Sequence, residues 1–90
     1  MTLEMRRELV AYLRQVIAPL LDEPDRASLR VSMDRLKVTI TANPRATSLL
    51  IGTRFRMADA LRLLARTKSR SMGWRGESVD LRVERNSGRG

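Results

Sequence analysis

Hydrophobic side chains recur every three or four residues at the start of the chain. Between residues 3 and 21 they fall on one side of a helix, at Met5, Leu9, Leu13, Val16, Ile17 and Leu20. Thr2 is placed to cap the first turn, because a threonine oxygen accepts a hydrogen bond from a helix amide. Pro19 cannot donate a hydrogen bond to the carbonyl of Gln15, so we expect the last turn to lose regularity. The acidic segment 22–25 then ends the helix.

Apolar and polar residues alternate strictly in three later segments, which is the period of a half-buried strand. Residues 27–33 and 36–42 form the first two segments, and Asp34-Arg35 is the predicted tight turn between them. Residues 77–84 form the third. The short connection makes the first two strands an antiparallel hairpin.

Two helices are predicted between the second and third strands. Asn43-Pro44 signals the start of a short helix over about residues 44–51, and Gly52 interrupts it. A longer helix then starts near residue 54 or 56 and ends near residue 72. One of its faces is apolar and another is mainly cationic, the first with Met57, Ala60, Leu61 and Leu64 and the second with Asp59, Arg62, Arg66 and Arg70.

The element order α-β-β-α-α-β predicts an α+β fold built as a two-layer sandwich. The crossover through two helices returns the third strand parallel to the second, which gives a three-stranded mixed sheet. Each strand has one apolar face, so the three helices should cover one side of the sheet. We expect one domain over residues 1–85 and a flexible polar tail over residues 86–90.

Charge is distributed unevenly along the 90 residues, whose formal net charge is +8. Residues 1–25 carry a net −2, whereas residues 45–75 carry a net +7, from seven arginines and one lysine against one acid. Such a cluster suits a polyanion, because each neutralised phosphate releases condensed counterions. The alternative is a solvated basic surface in an arginine-rich protein with 16 arginines and 2 lysines. We favour the polyanion because the cations are clustered.

Several classes of function are disfavoured by residues that the chain lacks. It has no cysteine and no histidine, so the commonest metal ligands and proton carriers are missing. Ser69 and Ser71 have no histidine to activate them, and we expect no catalytic residue, metal or cofactor. No apolar run approaches the roughly 18 residues of a membrane span, and the N-terminal residues do not resemble a signal peptide. A cytoplasmic protein without membrane contact is the expectation.

The element order, with a glycine-marked turn between two helices, resembles the type II KH domain of bacterial RNA-binding proteins. Within that family it is most similar to the small single-domain KhpA type. The resemblance covers about residues 5–84 and is carried by "LLDEPD" at 20–25, "LIG" at 50–52, "ADALRLLAR" at 58–66 and the basic glycine turn before the last strand. It implies single-stranded RNA as the partner, and a homodimer or a heterodimer with another KH-containing protein.

The KH signature is a GxxG loop that clamps four backbone nucleotides. The matching residues here are Gly52-Thr53-Arg54-Phe55, in which the second glycine is replaced. A left-handed conformation costs a non-glycine residue roughly 1–2 kcal/mol, so we expect Phe55 to take helical geometry. Thr53 would then cap the second helix and tighten the loop, while the helix N-terminus still presents amides to a phosphate.

These patterns predict an RNA-binding surface made by Arg45, Gly52, Thr53, Arg54, Phe55, Arg56 and Arg62. Residues 52–54 would approach phosphates, and the other arginines would steer the strand. The Phe55 ring either stacks on a base or tucks over Leu49, Leu50 or the start of the sheet, and we favour the tucked arrangement.

Two other functions stay open from the sequence. The altered loop is also compatible with a KH-fold protein-interaction or ribosome-associated module that has lost direct RNA binding, and non-specific DNA binding is a weaker third interpretation. Trp74 is more typical of a core residue than of a stacking platform. Tyr12 is assigned to no site.

Overall fold

The first helix and its irregular end follow the sequence prediction. The computed structural model describes residues 1–86, and residues 87–90 of the predicted tail lie outside this range. Helix α1 (Leu3–Ile17) begins at Thr2, whose Oγ1 accepts a hydrogen bond of 3.1 Å from the amide of Met5. A 3₁₀ turn (Ala18–Leu20) containing Pro19 follows, so the regular α-helical pattern ends before the proline, as predicted.

The acidic segment 22–25 begins a helix and does not end one, which corrects the prediction, because α1 already ends at Ile17. Helix α2 (Glu23–Ser28) starts after Asp22, with Pro24 in its first turn, where its missing amide donor is not needed. Arg26 fixes the short helix to the preceding turn, since its guanidinium donates to the carbonyls of Ala18 at 3.0 Å and Leu21 at 2.9 Å.

Three strands form one mixed sheet, as predicted, and their order in it is β1-β2-β3. Strand β1 (Arg30–Asp34) pairs antiparallel with β2 (Lys37–Ala42), and β2 pairs parallel with β3 (Asp80–Arg85). The hairpin turn is Arg35-Leu36, one residue later than expected, because Asp34 pairs with Lys37. Arg35 takes the left-handed conformation (φ 53°) that this tight turn requires.

The crossover consists of helix α3 (Pro44–Ile51) and helix α4 (Arg56–Ser71). Asn43 caps α3, since its Oδ1 accepts the amide of Ala46 at 2.8 Å. The same side chain donates through Nδ2 to Asp25 at 2.9 Å, which joins α3 to α2 and gives this nearly buried carboxylate a partner.

The buried face of α4 differs in part from the predicted one. Its buried residues are Ala58, Leu61, Ala65 and Ser69, whereas Ala60, assigned to the apolar face, is exposed. Helix α4 starts at Arg56 and packs against both α1 and β3. Its buried face is therefore rotated slightly from the face that carries the large apolar residues.

Helices α1, α3 and α4 bury one face of the sheet, which confirms the α+β sandwich. The core joins α1, α3 and α4 to the inward residues of β2 and β3, including Leu9, Leu13, Ile17, Val38, Ile40, Leu50, Leu61 and Leu81. Within residues 1–86, no helix combines the length and apolar character needed to cross a bilayer.

Trp74 lies at the edge of the structure, so its assignment to the core is wrong. Its ring is only half-buried, and Val79 fills the fully buried position near this end of the sheet. The indole Nε1 donates to the carbonyl of Glu77 at 2.7 Å, so the polar end of the ring is satisfied by its own loop.

Candidate nucleic-acid interface

The segment between α3 and α4, residues 52–56, is here called the inter-helix loop. Gly52 has φ 73° and ψ 176°, and both Arg54 (φ 54°, ψ 34°) and Phe55 (φ 62°, ψ 17°) are left-handed. The prediction of helical geometry for Phe55 is therefore wrong, as is that of Thr53 as the helix cap, because α4 begins only at Arg56. Two such non-glycine residues cost roughly 1–3 kcal/mol each, which the packing of the flanking helices must offset.

Gly52 is required at its position for two separate reasons. Its positive φ favours glycine, and a Cβ added there would lie 2.8 Å from the Cβ of Met57 and 3.0 Å from the Met57 backbone nitrogen. The Gly52 amide also donates to the carbonyl of Ser48 at 3.0 Å, which closes the last turn of α3. The loop therefore leaves α3 sharply and passes directly against the first turn of α4.

The N-terminus of α4 is uncapped by any side chain. Phe55 occupies the cap position but has no polar side-chain atom, and its own amide makes only a long 3.4 Å hydrogen bond to the carbonyl of Gly52. The first amides of a helix have no intrahelical acceptor and carry partial positive charge. The Arg56 amide donates to the carbonyl of Thr53, so an anion at this end of α4 would meet the amides that follow it in the first turn.

The side chains of the inter-helix loop project into solvent. The Phe55 ring is 61% exposed, so the favoured expectation that it tucks against α3 is wrong. Arg54 and Arg56 are also exposed and make no side-chain hydrogen bond or ion pair within residues 1–86. An aromatic face and two uncommitted cations thus border the uncapped helix end.

Arg45 does not lie with the inter-helix loop. It belongs to the first turn of α3, a helix of 8 residues and therefore about 12 Å long, whose other end carries Gly52. Its guanidinium lies 3.6 Å from a carboxylate oxygen of Asp22 and 3.6 Å from one of Asp25. The role of Arg45 in steering the RNA strand stays a prediction. The residue lies at the opposite end of α3 from the inter-helix loop.

Arg62 is placed along α4, about 9 Å beyond the start of that helix. Its Nε donates to the carbonyl of Leu81 at 2.9 Å, and its Nη1 pairs with Asp59. Arg66, one turn further, donates through Nε to the carbonyl of Val79 at 3.3 Å. These contacts with β3 and with the residue before it were missed from the sequence, where the spacing of four residues was interpreted only as a cationic face.

Ion pairs occupy part of the basic segment 45–75. Arg45, Arg62 and Lys68 have acidic partners, and Lys68 joins α4 to α1 through Glu8 at 3.3 Å. Arg54, Arg56 and Arg70 have none in the described part of the chain. The cations with no protein partner therefore lie at the two ends of α4, and those at its N-terminal end adjoin the loop.

No protein-family model matches the chain, and no curated protein matches it. Among solved structures, the fold is similar to that of a point variant of Era from Aquifex aeolicus, crystallised with bound GDP·AlF₄⁻. The TM-score is 0.67 at 15% sequence identity, over 98% of this chain and 34% of the Era chain. The chain thus corresponds to about a third of that protein, and the likeness is one of fold.

Proposed function

We propose that the chain binds single-stranded RNA and grips its backbone at the inter-helix loop. The observation that carries the proposal is the pair of exposed left-handed residues, Arg54 and Phe55, set directly before the uncapped N-terminus of α4. Backbone strain of this kind concentrates where a loop binds a ligand. The sequence adds support, because its element order and the glycine-marked turn resemble the type II KH domain, and KH domains clamp four nucleotides at the corresponding loop.

Each loop residue has a distinct part in the proposed grip. The amides at the start of α4 donate to a phosphate, and Arg54 and Arg56 neutralise it and its neighbour. Thr53 contributes a small hydroxyl without blocking close approach. The exposed Phe55 ring provides a face on which one base stacks. Phe55 therefore replaces the second loop glycine with an aromatic contact while keeping a left-handed backbone.

The alternative is a KH-fold protein-interaction or ribosome-associated module that has lost direct RNA binding, and it rests on the replacement of the second loop glycine by Phe55. Thr53 and Phe55 both lie before α4 and do not extend that helix. The alternative stays a prediction, in which the basic face would serve an acidic protein or a ribosomal assembly. Homodimerisation, and pairing with another KH-containing protein, stay predictions.

The first test is the salt dependence of RNA binding by the unmodified protein. We expect a log–log slope of roughly −2 to −3, because a loop that neutralises three or four phosphates of a single strand releases about 0.7 counterion per phosphate. Fluorescence anisotropy with a labelled single-stranded RNA measures it, with single-stranded DNA as competitor. Protein that purifies free of RNA and binds none at low salt would contradict the proposal.

Replacing Phe55 by glycine separates stacking from steric closure of the loop. We expect RNA affinity to fall at least about 5-fold, because stacking on an aromatic ring contributes about 1–3 kcal/mol per base. The free energy of unfolding of this variant should stay unchanged or rise slightly, since glycine adopts positive φ without strain. Phe55→Tyr is the matched control and should bind like the unmodified chain. A large gain in affinity for the glycine variant would instead favour the interaction-module alternative.

A further inference from the structure

An open cavity of about 500 Å³ lies at the C-terminal end of α4, a volume in the range of small-ligand sites. Its lining combines three arginines and one tryptophan with one acid, at Arg66, Arg70, Trp74, Arg75 and Glu77. We call it the Trp74 cavity. None of the residues predicted to bind RNA lines it.

The indole in this cavity is held in one orientation by two constraints. Its Nε1 donates to the carbonyl of Glu77 at 2.7 Å. Its benzene edge packs on Gly76, where an added Cβ would lie only 2.2 Å from Cζ2. The ring is nevertheless only half-buried. A fixed and partly open aromatic face stacks on a planar ligand with little loss of side-chain entropy.

Positive charge at the Trp74 cavity is available to a ligand. Arg70 has no side-chain partner within residues 1–86. Arg66 donates through Nε to one backbone carbonyl, and Arg75 donates through Nη1 to the carbonyls of Arg70 and Trp74, so each keeps other nitrogens free. The last carbonyls of α4 are also occupied, since the carbonyl of Arg70 accepts from the Gly73 amide and from Arg75. The negative end of the helix is therefore covered, and the cavity is cationic.

A planar ring among arginines is suited to a nucleobase and its flanking phosphates, whereas an acidic peptide would use the cations and leave the ring unused. We propose that the Trp74 cavity is a second contact for the RNA strand held at the inter-helix loop, with one base on the indole and phosphates on Arg70 and Arg75. This inference rests on the proposed function. Helix α4 has 16 residues, so the two contacts lie about 24 Å apart.

This separation makes RNA length the discriminating variable. An oligonucleotide of about 4 residues fills the loop clamp alone, whereas one of about 12 residues also reaches the cavity. We expect Trp74→Ala and Arg70→Gln each to weaken binding of the longer RNA about 5- to 10-fold and to leave the shorter one unchanged. Arg54→Gln should weaken the binding of both the shorter and the longer RNA. Arg70→Gln changes an exposed side chain without partners, so it tests the cavity even if Trp74→Ala is unstable.

Intrinsic fluorescence gives a direct readout, because Trp74 is the only tryptophan in the chain. Saturation with the longer RNA should quench it, and saturation with the shorter one should not. If both RNAs bind but Arg70→Gln keeps full affinity for the longer one and Trp74 emission does not change, the cavity proposal is overturned while the loop proposal stands. If neither RNA binds the unmodified protein, both proposals fail together.

Discussion

Replacing both Thr53 and Arg54 by aspartate is expected to lower affinity for single-stranded RNA by at least about 100-fold. The change removes a charge-assisted contact of roughly 1.5–3 kcal/mol and places two carboxylates at the phosphate position. The fold should persist, because both side chains are exposed and aspartate tolerates the left-handed conformation of residue 54 and the start of a helix. Anisotropy titration at fixed salt measures the loss, and circular dichroism confirms the helix content.

A control variant separates the loop from the general charge of the protein. Arg30→Asp with Ser32→Asp makes the same change in net charge on the exposed side of β1, away from α3 and α4. It should reduce affinity only a few-fold, through the long-range field. Equal losses from the two double variants would mean that the chain attracts RNA by net charge alone and that the loop has no special part.

The largest expected effect on stability is that of Leu61→Ala, which should lower the free energy of unfolding by about 2–4 kcal/mol. Leu61 is 1% exposed in the core between α4, α1 and the sheet, so truncation leaves a cavity that the packed neighbours fill only in part. Leu63→Ala on the same helix is the matched control. Its side chain is 64% exposed, and its loss should change stability by about 0.5 kcal/mol or less.

Urea denaturation followed by circular dichroism measures both leucine variants under the same conditions. Similar urea midpoints for the two leucine variants would mean that α4 does not bury the face that carries Leu61. Since α4 also carries the start of the proposed grip, the Leu61 variant should lose RNA binding only to the extent that it unfolds. Loss of binding in a fully folded Leu61 variant would indicate that the helix position, and not only the loop, sets affinity.

Periodicity and helix-start signals were sufficient to predict helices α1, α3 and α4 and the three strands, and the crossover rule added the parallel direction of the third strand. Each of these elements buries one face, and the buried face repeats along the sequence with the period of its backbone. The short helix α2 was missed because its six residues contain too little repeat, although Pro24 after Asp22 is a helix-start signal that was available.

The loop geometry was less predictable, for a different physical reason. Local preference argues against left-handed conformations at Arg35, Arg54 and Phe55, yet all three adopt one. The tight hairpin turn requires it at Arg35, whereas no residue type in the inter-helix loop signals it. The contacts of Arg62 with β3 and of Arg66 with Val79 just before it could not be predicted, since their acceptors lie 13 to 19 residues away along the chain.

Those two arginines also change the open edge of the sheet. Their guanidiniums cover the carbonyl of Val79, just before β3, and the carbonyl of Leu81 within it. A strand added beside the first half of β3 would have to displace both side chains, so edge-to-edge pairing is disfavoured at that point of the sheet.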